Sequence, residues 1–463
     1  MIADNSLILK GVIIMARLFG TDGVRGEANI DLTPELAYRL GRAATIFFGE
    51  ETDEQPVLLI GMDTRISGPM FEAALAAGIC SAGGKAIIAG VVPTPAIAYL
   101  TKHMKAQAGI VISASHNPYQ DNGIKFFGSN GYKLPDAVED ELEARVHAIE
   151  EGTKLFRPTG EKIGTMEFRR DLIKDYINYV LTTVKGDFKG MKVVLDCSNG
   201  ASFESMPVVL KTLGAEAIVI NKQPNGTNIN QNCGSTHMEA LQKAVLEHKA
   251  DIGIAHDGDA DRCLAVDEKG QLIDGDKILV ICALEMMQEG TLKDNTLVTT
   301  VMANIGLHQT IKKAGGKLEV TKVGDRYVLE NMLENGYTLG GEQSGHIIFS
   351  EFSTTGDGLI TAIQLISSVK RSGKTASELS SLMTSYPQLL VNVRVKTKDG
   401  WEENNQIKEA IQAGDDELGD NGRILVRPSG TEQLIRVMAE GPDQAQLDRI
   451  CHEIAGVVKT VQG

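Results

Sequence analysis

The sequence predicts an α/β protein: three consecutive mixed α/β domains followed by a smaller α+β domain at the C-terminal end. Three observations carry this. Short apolar runs alternate with helical patterns through most of the chain, which is the rhythm of βαβ units and a mostly parallel sheet. That rhythm breaks over residues 151–168 (EGTKLFRPTGEKIGTMEF), a candidate linker, and then restarts twice. Near Tyr386-Pro387 it gives way to a different pattern. A length of 463 residues suits about three domains at roughly 150 residues each.

The elements follow in order. Thr33-Pro34 reads as an N-cap followed by proline at the first helical position. Leu36, Leu40, Ala43 and Phe47 then recur at helical spacing, and Gly49 closes the helix. VLLIG (57–61) reads as a buried strand, and a helix from about Gly68 stops at Gly83-Gly84. AIIAGVV (86–92) and GIVIS (109–113) are further strands. The second run brings KVVLD (192–196), EAIVI (216–220) and DIGIA (251–255), and the third brings LVTTVMA (297–303) and KLEVTKV (317–323). After Tyr386-Pro387 come strand LLVNVRV, a helix, strands GRILV and LIRVMAE, and a last helix. The expected units are an N-terminal extension 1–14, then 15–155, 168–268, 269–378 and 385–463.

Composition narrows the function classes. With 42% hydrophobic and 23% charged residues, collagen and disorder are excluded. The formal charge of −15 argues against nucleic acid and anionic membranes as partners. Six cysteines, at 80, 197, 233, 263, 282 and 451, form no CxxC pair and have no His at zinc spacing. That is the usage of a reducing cytoplasm. The stretch LILKGVIIM (7–15) is short, interrupted by Lys10 and preceded by Asp4, so it is not read as a signal peptide. No run reaches the ~18 apolar residues of a membrane helix.

Polar loops directly after apolar strands are where parallel α/β sheets bind ligands. In Ser113-Ala114-Ser115-His116-Asn117-Pro118, the Asn-Pro step forces a turn or extended geometry. The serine offers a nucleophile, or simply a turn cap. His116 is counted with the catalytic candidates, although adjacency in sequence is poor geometry for a triad base. In Asp257-Gly258-Asp259-Ala260-Asp261-Arg262, three alternating carboxylates can converge on a hard cation such as Mg²⁺. An EF-hand is the rival reading, since Glu268 falls at position twelve, but Arg262 stands where that loop needs Gly. A plain acidic turn is the other.

Gly340-Gly341-Glu342-Gln343-Ser344-Gly345-His346 offers donors and acceptors for sugar hydroxyls or an amine, or a hairpin loop. Arg427-Pro428-Ser429-Gly430-Thr431, with Arg436 beyond, has the forks and hydroxyls of a phosphate clamp, or of a surface turn. Gly373-Lys374-Thr375 is no Walker loop, because Ser368 replaces its first glycine. Gly20-Thr21-Asp22-Gly23-Val24-Arg25-Gly26 is Gly-rich without being GxGxxG; Arg25 either reaches a shared cleft or caps a turn. Taken together, a serine, a tri-aspartate site, a polyhydroxyl loop and a phosphate clamp point to phosphoryl transfer on a phosphosugar.

FGTDGVRG (19–26), SASHNPYQDNGIKFF (113–127), DGDADR (257–262), GGEQSGH (340–346) and RPSGTE (427–432) resemble the α-D-phosphohexomutases, in that family's order along nearly the whole chain. Gln343, Ser113, the run Val323-Gly324-Asp325-Arg326 and the run Cys233-Gly234-Ser235-Thr236-His237 look like its amino-sugar branch. The resemblance implies four domains around a central cleft. It implies Ser115 as phosphoserine, with Asp257, Asp259 and Asp261 holding Mg²⁺ together with the serine phosphate. Arg25 and Lys125 would assist proton transfer and balance charge, and Arg262 would lie beside the metal loop. Glu342 and Ser344 would hold sugar hydroxyls with His346 nearby. Arg427, Ser429, Gly430, Thr431 and Arg436 would clamp the phosphate not being transferred. A hexosamine phosphate would be the substrate, a hexosamine 1,6-bisphosphate the intermediate and primer, a hinge near 378–385 would help the last domain open, and a homodimer is suggested.

Some residues depart from the family pattern. Gln433 and Met238 stand where proline is usual. Residues 1–14 precede the usual start near Met15, so the extension is expected to be poorly ordered or to lie upstream of the native start. Two other readings use the same residues: a non-catalytic sugar-phosphate sensor, against which the intact Ser115, Lys125 and aspartates argue, and a phosphatase, which would admit water to the phosphoserine.

Overall fold

The computed structural model describes residues 8–9, 12–13, 17–20, 22–50, 52–153, 156–429 and 432–463. These residues form two compact units, 1–301 with 319–380 and 302–318 with 381–463. Ile8–Leu9 and Val12–Ile13 pair as short antiparallel strands; the rest of the extension, where disorder was expected, lies outside the described residues.

Beyond that pair, three larger sheets follow. The first runs, edge to edge, Val24–Glu27, Asp121–Gly128, Ala108–Ile112, Val57–Met62, Lys85–Val91, Met166–Phe168. Its last four strands are parallel, and the first two pairings are antiparallel. The sheet is therefore mostly parallel with an antiparallel edge. The stretch read as a linker also ends in one of its strands: Met166–Phe168 pairs with Ala86–Ile88. Three residues are too few to give a period, so the sequence carries no trace of it.

The helix Pro34–Gly49 starts as its sequence dictates, with Thr33 Oγ1 accepting from Leu36 N–H at 3.2 Å. It packs against the helix Gly68–Ser81 through two glycines. A Cβ at Gly78 would stand 2.1 Å from Tyr38 O, and one at Gly41 2.5 Å from Leu75 O. Leu40, Ala44, Phe48, Phe71, Leu75, Leu58, Ile60 and Ile110 share the core beneath them.

The second sheet has the order Glu216–Ile220, Lys192–Asp196, Ile252–His256, Cys263–Asp267, Leu272–Ile273. Ile252–His256 and Cys263–Asp267 are antiparallel, so the tri-aspartate loop is their hairpin connection. The third sheet has the order Lys317–Thr321, Thr296–Thr300, Leu339–Gly341, Ile347–Phe349. Its last pair is also a hairpin, with Glu342–His346 at its tip. The hairpin reading of that loop and the binding-loop reading are thus compatible.

The second unit has the antiparallel sheet Gln388–Arg394, Leu434–Glu440, Arg423–Pro428. Helices Asn405–Leu418 and Gln444–Gln462 pack on it through Ile407, Leu447, Ile450 and Ile454 against Val393, Ile435 and Val437. The chain passes between the units after Val301, after Leu318 and after Ser380, the last crossing falling within 378–385.

Candidate active site

Ser115 follows the carboxyl end of strand Ala108–Ile112 in a loop the protein fixes firmly. Its φ is +51°, a left-handed conformation that costs a residue with a Cβ roughly 1–3 kcal/mol. The surroundings impose it. Ser113 Oγ accepts from Ser115 N–H at 2.9 Å and donates to Asp63 Oδ2 at 2.6 Å. Arg65, whose side chain is wholly buried, pairs with Asp63 at 2.9 Å. Its guanidinium also donates to Ser115 O at 2.9 Å, Asn117 O at 2.8 Å, Asp121 O at 3.1 Å and Pro118 O. Asn230 Nδ2, from the unit's second half, donates to Ser115 O at 2.9 Å and Asn117 O at 3.1 Å. Asp63, Arg65 and Asn230 escaped the sequence reading. Asp63-Thr64-Arg65 carried the signal that marked the other loops, a polar run after a buried strand; Asn230 carried none.

The serine hydroxyl donates to Asp257 Oδ2 at 2.6 Å. Asp257, Asp259 and Asp261 are buried, with one ligand oxygen of each within 4.8 Å of the others. Burial, then Asp261 and Asp259, push the Asp257 carboxyl well above the usual carboxylate range. Asp259 goes the other way: burial would raise it, but Lys125 and Thr94 hold it low. Lys125 Nζ lies 2.9 Å from Asp259 Oδ2 and 2.9 Å from Asp22 Oδ2. Burial alone would lower that lysine, yet Asp22, Asp259 and Asp261 together raise it. Lys125 is therefore a fixed cation.

The donor set fits a divalent cation. Asp259 Oδ1 and Asp261 Oδ1 are buried with no hydrogen-bond partner, which is costly for anionic oxygens unless an ion takes them. Arg262 crosses from the metal loop to the third sheet: Arg262 and His346 form a β-bridge, and Cys263 N–H donates to Gly345 O at 3.0 Å. His346 Nδ1 lies 3.5 Å from Asp261 Oδ2, and its Nε2 accepts from Gly356 N–H at 3.0 Å. Burial would lower the pKa of this ring, but Asp261 and then Asp325, at its other nitrogen, raise it.

His116 Nδ1 lies 3.4 Å from Ser115 Oγ. Burial, then Arg262 and Arg25, lower its pKa, so the imidazole is neutral. Arg25 is ion-paired to Asp22 and about a third exposed. Glu342 Oε1 accepts from Gly324 N–H at 3.1 Å, and Ser344 Oγ is buried without a partner. The loop is seated by Gly275, whose N–H donates to Gln343 O at 3.0 Å. Ser115, His116, Lys125, Arg25, the three aspartates, Arg262, Glu342, Ser344 and His346 all belong to the first unit.

In the second unit, Arg427 and Arg436 are cross-strand partners. Burial, then Arg436, lower the Arg427 pKa, the electrostatics of a pair awaiting an anion. Ser429 is buried, its Oγ accepts from Glu432 N–H at 3.2 Å, and its carbonyl accepts from Lys398 Nζ at 2.8 Å. Lys398 is a cation the sequence reading did not include. Gly430 and Thr431 lie outside the described residues.

Residues 16–153, 174–270, 274–386 and 390–457 match, in turn, α/β/α domains I, II and III and the C-terminal domain of phosphoglucomutase/phosphomannomutase. A phosphoglucosamine mutase of Acetivibrio thermocellus is 54% identical over 447 residues, covering 96% of this chain and 99% of that protein. One of Symbiobacterium thermophilum has the same identity and coverage. Among solved structures, a phosphoglucomutase/phosphomannomutase family protein of Burkholderia thailandensis aligns with a TM-score of 0.80 at 23% identity, covering 96% of this chain and 97% of that one. An N-acetylphosphoglucosamine mutase of Aspergillus fumigatus, in complex with GlcNAc-6P and magnesium, aligns with a TM-score of 0.68 at 19% identity, covering 96% of each chain.

Proposed function

The chain belongs to the phosphoglucomutase/phosphomannomutase family, and on that premise we propose that it is a phosphoglucosamine mutase. It is an intramolecular phosphotransferase that interconverts glucosamine 6-phosphate and glucosamine 1-phosphate, a step that feeds UDP-N-acetylglucosamine and peptidoglycan synthesis. The observation that carries the reading is the Ser115 hydroxyl, 2.6 Å from a buried aspartate cluster in which two carboxylate oxygens accept no hydrogen bond. The 54% identity to phosphoglucosamine mutases supports the amino sugar.

In this reading Ser115 carries a phosphoryl group. The P–Oγ bond breaks as a P–O bond forms to the free hydroxyl of the sugar phosphate, giving glucosamine 1,6-bisphosphate. That molecule reorients and returns its other phosphoryl group to Ser115; added bisphosphate primes unphosphorylated enzyme. Asp257, Asp259 and Asp261 would hold Mg²⁺, which supplies charge neutralisation at the phosphoryl oxygens. Neutral His116 takes the proton of the attacking hydroxyl at Nδ1 and passes it to the departing Ser115 Oγ, 3.4 Å away; the proton runs the other way in the second half-reaction. Lys125, held protonated, balances charge rather than accepting a proton, which narrows its expected role. Arg25 balances charge beside it. Glu342 and Ser344 bind sugar hydroxyls or the amine, Arg262 and His346 orient the metal and sugar loops, and Arg427, Ser429, Gly430, Thr431 and Arg436 bind the phosphate that stays.

The functional division follows the units 15–155, 168–268, 269–378 and 385–463. Six free cysteines suit a cytoplasmic enzyme, and among the described residues no helix is long and apolar enough to cross a membrane. A homodimer is part of the same proposal.

The test is kcat/KM for the 6-phosphates of glucosamine, glucose and mannose, each with Mg²⁺ and its 1,6-bisphosphate. A preference above about 100-fold for the amino sugar, about 2.7 kcal/mol of transition-state binding, supports the reading. Comparable values on glucose or mannose move the function to a general phosphoglucomutase/phosphomannomutase.

A further inference from the structure

An unbroken chain of charges of alternating sign leads away from the metal loop. Asp259 Oδ2 meets Lys125 Nζ at 2.9 Å, and Lys125 meets Asp22 Oδ2 at 2.9 Å. Asp22 Oδ1 meets Lys133 Nζ at 2.7 Å, and Lys133 meets Asp325 Oδ2 at 2.6 Å. Asp325 Oδ2 ends 3.5 Å from His346 Nε2, and the other ring nitrogen faces Asp261. The chain thus starts on one cation-binding carboxylate and returns to the neighbourhood of another. Its inner members, Lys133 and Asp325, lie on a loop after strand Asp121–Gly128 and at the first residue of helix Asp325–Asn335. Neither is within reach of the serine hydroxyl through any contact of its own.

From this we infer that Lys133 and Asp325 are positioning residues of the cation site: acting through Asp22, they fix Lys125 on one oxygen of Asp259 and so leave the other oxygen turned to the ion. The free oxygens are where this requires them. Asp259 Oδ2 takes Lys125 and Thr94, at 2.9 and 2.8 Å, while Oδ1 has no partner. Without Lys133, Asp22 and Asp325 face each other uncompensated, and Asp22 is released to compete for Lys125 and Arg25. The carboxylate holding Lys125 then no longer has a defined direction. Outer partners of this kind orient metal ligands as effectively as the ligands' own geometry.

The network does not serve as packing. Asp22, Lys125, Lys133, Asp325 and His346 line one end of a cavity of about 490 Å³, so side chains of similar length can replace Lys133 without overpacking. A loss of activity on substitution therefore reads orientation and charge when the variant keeps the parent's thermal unfolding midpoint.

The inference rests on the mutase reading for its kinetic readout, and has a second readout that does not. In the full chain, Lys133→Met and Asp325→Asn are assayed for kcat and KM, and Mn²⁺ binding to the unphosphorylated protein is followed by electron paramagnetic resonance. The expected result for Lys133→Met is a kcat lower by about 10- to 100-fold and an Mn²⁺ Kd higher by about 10-fold or more, with KM for the sugar phosphate little changed. Lys133→Arg restores most of both. The double variant loses less than the product of the single losses, since it removes both members of a pair. If both single variants keep kcat and Mn²⁺ Kd within about twofold of the parent, the inference is overturned. It is also overturned if activity falls with Mn²⁺ binding unmoved and no rescue by Arg. Should Lys133→Met fail to fold, Asp325→Asn and Lys133→Arg decide the same question. A parent protein that binds Mn²⁺ but turns over no hexose phosphate overturns the mutase reading instead.

Discussion

Arg65→Lys keeps a positive charge beside Asp63 but removes the planar fork that organises the serine loop. In the native protein one buried guanidinium serves Asp63 and four carbonyls, those of Ser115, Asn117, Pro118 and Asp121. An ammonium has three donors, so after pairing with Asp63 it reaches at most two carbonyls. Ser115 O and Asn117 O still have Asn230; Pro118 O and Asp121 O lose this donor. Pro118 O keeps the Asp121 N–H, so the Asp121 carbonyl is the one left short, which puts the destabilisation at about 1–3 kcal/mol. Ser115 sits at φ +51° only because its carbonyl and amide are both held. With Asn230 the one certain donor left on the carbonyl side the hold is looser, and a displacement of the hydroxyl by about 1 Å costs on the order of 100-fold in rate. Urea unfolding measures the first quantity and kcat, below the unfolding transition, the second. A variant within about 0.5 kcal/mol and twofold in kcat of the parent would falsify this account of the loop.

Three other substitutions probe separate parts of the site. A Cβ on Gly275 would stand 2.2 Å from Glu342 O and 2.8 Å from Gln343 O, both backbone; Gly275→Ala should cost about 1–3 kcal/mol and raise KM for the sugar phosphate, as thermal unfolding and steady-state kinetics will read. His256 is fully buried, and burial depresses its pKa from 6.5 to about 4. Its contribution to stability is therefore complete above pH 6.5 and is lost as pH falls toward 4. That amounts to about 2 kcal/mol between pH 7 and pH 5, and His256→Asn should flatten that part of the stability–pH curve; an unchanged slope removes the assignment. Arg427→Lys should weaken sugar-phosphate binding by about 10- to 100-fold, chiefly through KM, since the residual phosphate is held equally in ground and transition states.

Most of the architecture was legible because it is written in periodicity. Strands such as Val57–Met62 and Lys192–Asp196 are continuous apolar runs, and the helix at Pro34 announces itself with a cap and a proline. Met166–Phe168 was not legible, because three residues at a sheet edge draw their structure from the neighbouring strand rather than from a pattern of their own. Asp121–Gly128, which carries Lys125, mixes polar and apolar residues and pairs on both sides, so it too escaped notice as a strand. In the site, the residues proposed to meet substrate or ion stood in motifs. Those that hold them were harder to see: Arg65, Asn230 and Lys133 stood outside the motifs and Asp325 in one that gave it no role; they act over sequence separations of up to 192 residues, and only the folded chain brings the partners together.

Phosphopeptide mass spectrometry on enzyme treated with glucosamine 1,6-bisphosphate, then chased with glucosamine 6-phosphate, tests the central claim most directly. The account predicts one phosphoryl group per chain, on Ser115, that leaves on the chase and reappears in the bisphosphate, with none acquired by Ser115→Ala. Phosphate on another residue, turnover by Ser115→Ala, or discharge as inorganic phosphate in step with sugar consumed would contradict it.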